Sequence, residues 1–176
     1  GFDPVRREIA REAMLRLIQD GRIHPTHIEE VVAAVKAEMD DTISRKGDEA
    51  VTRAGLSAMH PEITKLLGRL HYRQSFAQNL LDHSVEVAQL MALLAAELGV
   101  DVNLAKRAGL LHDIGKAVSH EIEGPHAVVG ADIIRRHGEC DAVVNGVASH
   151  HNDVPPVGPL GILVSAADAI SASRPG

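Results

Sequence analysis

The stretch from Leu80 to Leu98 constrains this chain more than any other. It is apolar almost throughout and stops at Gly99, yet it carries Asp82, His83, Glu86 and Glu97. A membrane span does not tolerate that charge load, so the segment reads as a helix buried in a protein core. A buried helix needs other elements packed on all sides. The available core is aliphatic: Phe2, Tyr72 and Phe76 are the only aromatic residues among 176, and Ala, Leu, Val and Ile supply the rest. Small aliphatic side chains suit helix-on-helix packing. The expected fold is an all-α bundle of one domain with an N-terminal helical extension.

The other segments agree. Asp3-Pro4 is a helix start, followed by Val5, Ile9, Ala13, Leu17 and Ile18 at helical spacing and closed by Gly21. Thr26-His27-Ile28-Glu29 has a capping-box pattern. The stripe Ile28, Val32, Val35 and Met39 then predicts a long helix to about Gly47, resuming to Ala54. Such a stripe suits a homodimer seam or packing on the chain's own core. Further helices are expected from Pro61 to Leu70, Phe76 to Leu98, Asn103 to His112, His126 to Arg136, Glu139 to Ser149 and Leu160 to Ser173, with residues 115–125 as a loop. No stretch reads as a strand. Cys140 is the lone cysteine, which excludes a disulfide within the chain and fits a reducing, cytoplasmic setting. A formal charge of −6 argues against a surface that coats nucleic acid by bulk electrostatics.

The chemistry concentrates in Gly109-Leu110-Leu111-His112-Asp113-Ile114-Gly115-Lys116 and what surrounds it. Seven of the eleven histidines lie between positions 83 and 151. Asp168 stands in the apolar run Val164 to Ile170 with no basic neighbour, and a buried carboxylate needs a partner. Imidazoles and carboxylates on separate helices are the inventory of a metal site in a bundle core. Adjacent residues such as His112 and Asp113 diverge within a helix but can converge at its end. Asp113 is then a natural bridge between two ions, an arrangement suited to phosphoester hydrolysis. Lys116 could hold charge on the phosphate or protonate the leaving oxygen. Mixed imidazole and carboxylate ligands accept Mn, Zn, Fe, Ni or Co, with Mg less natural.

The set His83, His112-Asp113 and Asp168 resembles the HD superfamily of metal-dependent phosphohydrolases. His126, Gly130, His150 and His151 resemble the fuller ligand set of its two-metal branch. Gly1 to Ala10, Asp20 to Pro25, Leu67-Gly68-Arg69-Leu70, Arg107 to Lys116, Ala166 to Ala169 and Arg174-Pro175-Gly176 are similar to the ribonuclease Y family. That resemblance runs end to end. It implies an HD helical bundle and an endoribonuclease that begins messenger RNA turnover. It also implies a longer parent with a membrane anchor at the cytoplasmic face, a coiled coil and a KH domain. Residues 1–20 would be the last KH helix, 21–60 a helical linker or dimerisation segment, and 61–176 the HD domain without its C-terminal helices. The fragment itself would make no membrane contact.

By the same resemblance His83, His112, Asp113 and Asp168 hold metal, and His126 and His150 hold a second ion. Asp113, Lys116 and His151 are the expected catalytic residues, with His151 either a further ligand or a group orienting the scissile phosphate. The basic patch of Arg69, His71 and Arg73 suits contact with the backbone of single-stranded RNA and, equally, surface salt bridges. RNA-degradation proteins would be partners of the parent. Two departures matter. Asn79 stands where some three-metal relatives have a Glu, which argues against a third ion. Asn152-Asp153-Val154-Pro155-Pro156 follows the His pair in place of Gly-Tyr-Pro, which argues against cyclic dinucleotides as substrate. Two rival readings stay open: a phosphohydrolase of small nucleotides or cyclic phosphates, and a non-catalytic dimerisation scaffold.

Overall fold

The computed structural model describes residues 3–75 and 78–173. It is a helical bundle, as the aliphatic core requires, with one short hairpin. Helix α1 spans Pro4–Asp20. The Asp3 carboxylate caps it, accepting from the Val5 amide at 2.9 Å, and Gly21 closes it in the left-handed region at φ 73°. Helix α2 runs unbroken over Pro25–Arg53. The Thr26 capping box does not form, because Pro25 already occupies the first turn and His24 takes the cap position without a side-chain bond.

Gly47 does not end α2; it serves packing. A Cβ there would lie 1.9 Å from the Thr64 carbonyl oxygen of α3 (Pro61–Arg69), and one at Gly68 of α3 would lie 1.9 Å from the Ile43 carbonyl oxygen. Two glycines, one on each helix, therefore let α2 and α3 cross backbone to backbone. The apolar stripe of α2, with Val35, Met39 and Ile43 buried, packs on α1 and α3 of the same chain.

A 3₁₀ turn, Leu70–Tyr72, leads to a hairpin of β1 (Gln74–Ser75) and β2 (Gln78–Asn79), paired antiparallel. The helix expected from Phe76 begins later. Phe76 itself lies outside the described residues, and α4 covers Leu80–Leu98, capped by the Asn79 side chain, which accepts from the Leu81 amide at 3.0 Å and the Asp82 amide at 3.3 Å. Helix α5 is Val102–Leu111. A second 3₁₀ turn, Ile114–Val118, stands where a loop was expected. Helices α6 (His126–Arg136), α7 (Asp141–Ser149) and α8 (Pro159–Ala172) complete the chain. Helix α7 starts two residues later than its apolar pattern suggested, because Glu139 is turned to Arg107, 2.9 Å from its Nε.

Helix α4 is the bundle's centre, packed on α5 and α8, while α5 also meets α7 and α8. Met91, Leu110, Leu111, Val147 and Val164 are fully buried where they meet. No helix among the described residues is long and apolar enough to cross a membrane.

Candidate metal centre

The His-Asp pair sits where α5 ends. His112 is the helix's last residue in helical conformation, and Asp113, at φ −99° and ψ 7°, turns the chain into the 3₁₀ segment. That break lets two adjacent side chains face one site. His83 comes from the first turn of α4, Asp168 from the middle of α8, His126 from the first residue of α6, and His150 and His151 from the end of α7.

Two clusters result, with Asp113 between them. His83, His112 and Asp168 bring one ligand atom each within 4.8 Å of one another, and so do His126, His150 and His151. In the first, His83 Nε2 lies 3.0 Å from Asp168 Oδ1, and His112 Nε2 lies 3.8 Å from the same oxygen. The two Asp113 oxygens divide: Oδ2 lies 3.5 Å from His112 Nε2 and 4.0 Å from His83 Nε2, while Oδ1 lies 3.2 Å from His126 Nε2. Lys116 Nζ donates to Asp113 Oδ2 at 2.8 Å.

The donor set fits a metal ion, and the orphaned atoms show it. His112 Nε2, Asp113 Oδ1, His126 Nε2 and His150 Nε2 are all buried with no hydrogen-bond partner. Buried polar atoms are normally paired, and here these four converge, while the fifth among the described residues, Nδ1 of His120, belongs to a ring beside Asp3 and Glu121. The opposite ring nitrogens are tied down. His112 Nδ1 donates to the Gly109 carbonyl at 2.8 Å and His150 Nδ1 to the Val147 carbonyl at 2.6 Å, which leaves each Nε2 lone pair free to ligate. His83 Nδ1 meets Ser171 Oγ at 2.9 Å, and Ser171 donates to Glu86 Oε2 at 2.9 Å, which also accepts from Gln78 at 3.1 Å.

Ser171 and Glu86 were not anticipated from the sequence. Each stands three residues after a candidate ligand, Asp168 and His83, and so on the same helix face. That spacing was a usable signal.

Burial shapes the charge. It opposes ionisation of Asp113, but His112, His126 and the Lys116 ammonium outweigh it and hold the carboxyl well below the usual carboxylate range. Burial also opposes ionisation of Asp168, which its contact with His83 overrides. Burial pushes the His112 imidazole down and His150 down to about 3, with His112 adding to the latter. Both rings are therefore neutral in the folded, metal-free chain at neutral pH, the form that ligates.

An unfolded histidine takes up its proton near pH 6.5, so below that pH the unfolded chain binds more protons than the folded one and stability falls. The metal-free protein should have a lower urea midpoint at about pH 5.5 than at about pH 7.5. Equal midpoints would mean that these rings are not held neutral by the fold.

A cavity of about 200 Å³ opens on this centre, lined by Ser75, Gln78, His83, Asp113, Lys116 and Asp168 among others, with the exposed His151 on its wall. The three residues expected to touch RNA do not line this cavity. Arg69 is engaged by Asp3 at 3.7 Å and Glu121 at 3.3 Å. His71 stacks edge-on against Tyr72 with ring centres 5.1 Å apart. Arg73 donates to the Lys116 carbonyl and, at 2.8 Å, to Ser119 Oγ.

Comparisons with known proteins agree with this geometry. Over its whole length the chain is 58% identical to a protein named ribonuclease Y from Acetivibrio thermocellus, of which it covers 34%. It is 57% identical to one from Thermoanaerobacter pseudethanolicus, covering 35%, and 56% identical to one from Enterococcus faecalis, covering 34%. The chain thus spans about a third of the length of these relatives. No solved structure matches it. The family model described as HD domain matches residues 80–173, the stretch that carries every residue of both clusters, and the chain belongs to the HD domain family.

Proposed function

We propose that this chain is the catalytic part of an endoribonuclease that hydrolyses phosphodiester bonds of single-stranded RNA. The observation that carries the proposal is Asp113, whose two oxygens face two separate imidazole clusters. The name printed for the relatives, ribonuclease Y, supports the choice of RNA.

In this reading His83, His112, Asp113 and Asp168 hold one divalent ion, and Asp113, His126 and His150 hold a second. Bound metal would supply an acidified water and charge stabilisation at the phosphate. The chain's own groups do the rest. Asp113 stays ionised and so keeps its bridging charge. Lys116, on the cavity wall, offsets negative charge on the phosphate oxygens. His151, exposed at the same wall, is placed to give a proton to the leaving oxygen.

Residues 61–176 are read as the catalytic unit, 21–60 as a helical linker, and 1–20 as the closing helix of a KH-like domain in a longer parent. That parent would work at the cytoplasmic face of the membrane alongside RNA-degradation proteins. A homodimer would use surfaces other than Val35, Met39 and Ile43 of α2, which are buried within the chain, while Ile28 and Val32 keep part of the stripe accessible.

The test incubates the purified chain with 5′-labelled single-stranded RNA and, separately, with bis(p-nitrophenyl) phosphate. Mn²⁺, Mg²⁺, Zn²⁺ and EDTA form the lanes. Internal cuts that vanish in EDTA are the expected result. Turnover of the small diester without RNA cuts would replace RNA by a small phosphoester as substrate. No turnover of either by the metal-loaded chain would sink the catalytic reading.

A further inference from the structure

We infer that a groove running from the metal centre past Lys116 to Arg7, Tyr72 and Arg73 is the track for the RNA strand flanking the scissile phosphate. The inference rests on the RNA-cleaving reading above and adds to it a binding site that extends beyond the two imidazole clusters. Its geometric basis is continuity. A second concavity, lined by Pro4, Arg7, Tyr72 and Arg73, shares Ser75, Leu80 and Lys116 with the cavity over the metal centre. A strand whose phosphate sits at Asp113 and Lys116 has this groove as its adjoining exit.

Charge bookkeeping selects the occupant. The acids around the groove are matched by other bases. Asp3 is spent on the cap of α1 and on Arg69, Glu8 on Arg11 at 2.6 Å, and Glu121 on Arg69. Arg7 and Arg73 have no such counter-ion. Arg7 is exposed and makes no ion pair among the described residues. Arg73 is half-buried and bonded only to neutral acceptors, the Lys116 carbonyl and the Ser119 hydroxyl. Burial pushes the Arg73 guanidinium down and Arg69 pushes it the same way; Asp3 opposes them, and Arg7 adds to the lowering. Guanidiniums that repel one another in a concavity, neither of them hydrogen-bonded to a carboxylate, are complementary to a phosphodiester backbone.

Tyr72 adds the second element of a single-strand site. It is the chain's only tyrosine, it is half-exposed, and it lines the groove beside Arg73. An aromatic face next to backbone-tracking cations binds single strands with little regard to sequence. Arg69, despite its neighbouring position, is held by Asp3 and Glu121 and lies outside the track.

The test measures binding of a fluorescent single-stranded RNA of about 12 nucleotides in EDTA, so that no cleavage intrudes, over a range of salt. Arg7→Glu should weaken binding about tenfold or more, and Arg7→Ala should reduce the slope of log affinity against log salt by about 0.7, the value for one phosphate contact on a single strand. Tyr72→Ala should weaken binding about fivefold or more, and Tyr72→Phe should restore it. Arg135→Glu on α6, outside the groove, makes the same charge change and should leave affinity as it was. Melting temperature and metal content report that each variant is folded.

Unchanged affinity and salt slope in both Arg7 variants, in a protein whose wild type cuts RNA, would overturn the track alone. A wild type that turns over bis(p-nitrophenyl) phosphate but neither binds nor cuts RNA would overturn the endoribonuclease reading, and the track with it.

Discussion

Under the proposed endoribonuclease activity, Asp113→Ala is expected to lose bound metal and to cut RNA about a thousandfold more slowly. A metal-held water and phosphate contribute several kcal/mol to such a reaction, and about 4 kcal/mol corresponds to three powers of ten in rate. Asp113 presents one oxygen to each cluster, so its loss opens both at once. It also frees Lys116, whose hydrogen bond at 2.8 Å ends on this carboxylate. Asp113→Asn separates the two effects. It keeps the shape and an acceptor for Lys116 but removes the charge that a bridging ligand needs. Metal content by elemental analysis and rates on labelled RNA are the measurements. Wild-type rate and stoichiometry in the alanine variant would remove Asp113 from the site altogether.

Gly115→Ala should disturb the same centre through the backbone. A Cβ at Gly115 would lie 2.1 Å from the His126 carbonyl oxygen and 2.8 Å from the Gly130 amide nitrogen. Neither atom is the end of a flexible side chain, so the 3₁₀ turn and α6 must separate. Overpacking on this scale costs about 3 kcal/mol, which for a chain of this size lowers the melting temperature by about 6–12 °C. Separation also carries His126 away from Asp113 Oδ1, where the two now stand 3.2 Å apart. Bound metal should therefore fall toward what the His83, His112 and Asp168 cluster holds alone. A variant that melts within about a degree of the wild type with its full metal content would show that the turn and the helix can part without consequence.

Much of this fold was legible because helices announce themselves over many residues. Asp3 and Gly21 bracket α1 as their chemistry requires, and the aliphatic run of α4 demanded a surrounding bundle. What escaped was short or tertiary. The hairpin of Gln74–Ser75 and Gln78–Asn79 has strands of two residues, too few to show a period, so its second strand was read as the start of α4. Gly47 looked like a terminator because close helix crossing and helix termination use the same residue. Thr26 had the right neighbours for a cap, but Pro25 fixed the helix start before it.

The candidate site follows the same division. Its histidines and carboxylates could be named from residue type and clustering, and the bundle brings His83, His112, Asp113, His126, His150 and Asp168 together. The partner of each outer group could not be read off. Sequence left Arg69 open to RNA or to a salt bridge, and it meets Asp3 and Glu121, the partners lying across long separations. Nothing local distinguishes it from Arg73, whose hydrogen bonds end on the Lys116 carbonyl and the Ser119 hydroxyl.

The histidines at the ends of α5 and α7 carry one more consequence. Each turns its Nδ1 back to the carbonyl three residues earlier in its own helix, Gly109 for His112 and Val147 for His150. Those carbonyls are among the acceptors that every helix end leaves without an amide partner. The ring thus finishes its helix and, by the same bond, aims its other nitrogen. Ligand direction is written within four residues of local chain and does not wait for the ion. Little rotamer freedom is left to lose when metal arrives. Loading should consequently proceed with a small entropic cost, as the filling of a rigid socket whose two key donors were oriented when their helices formed.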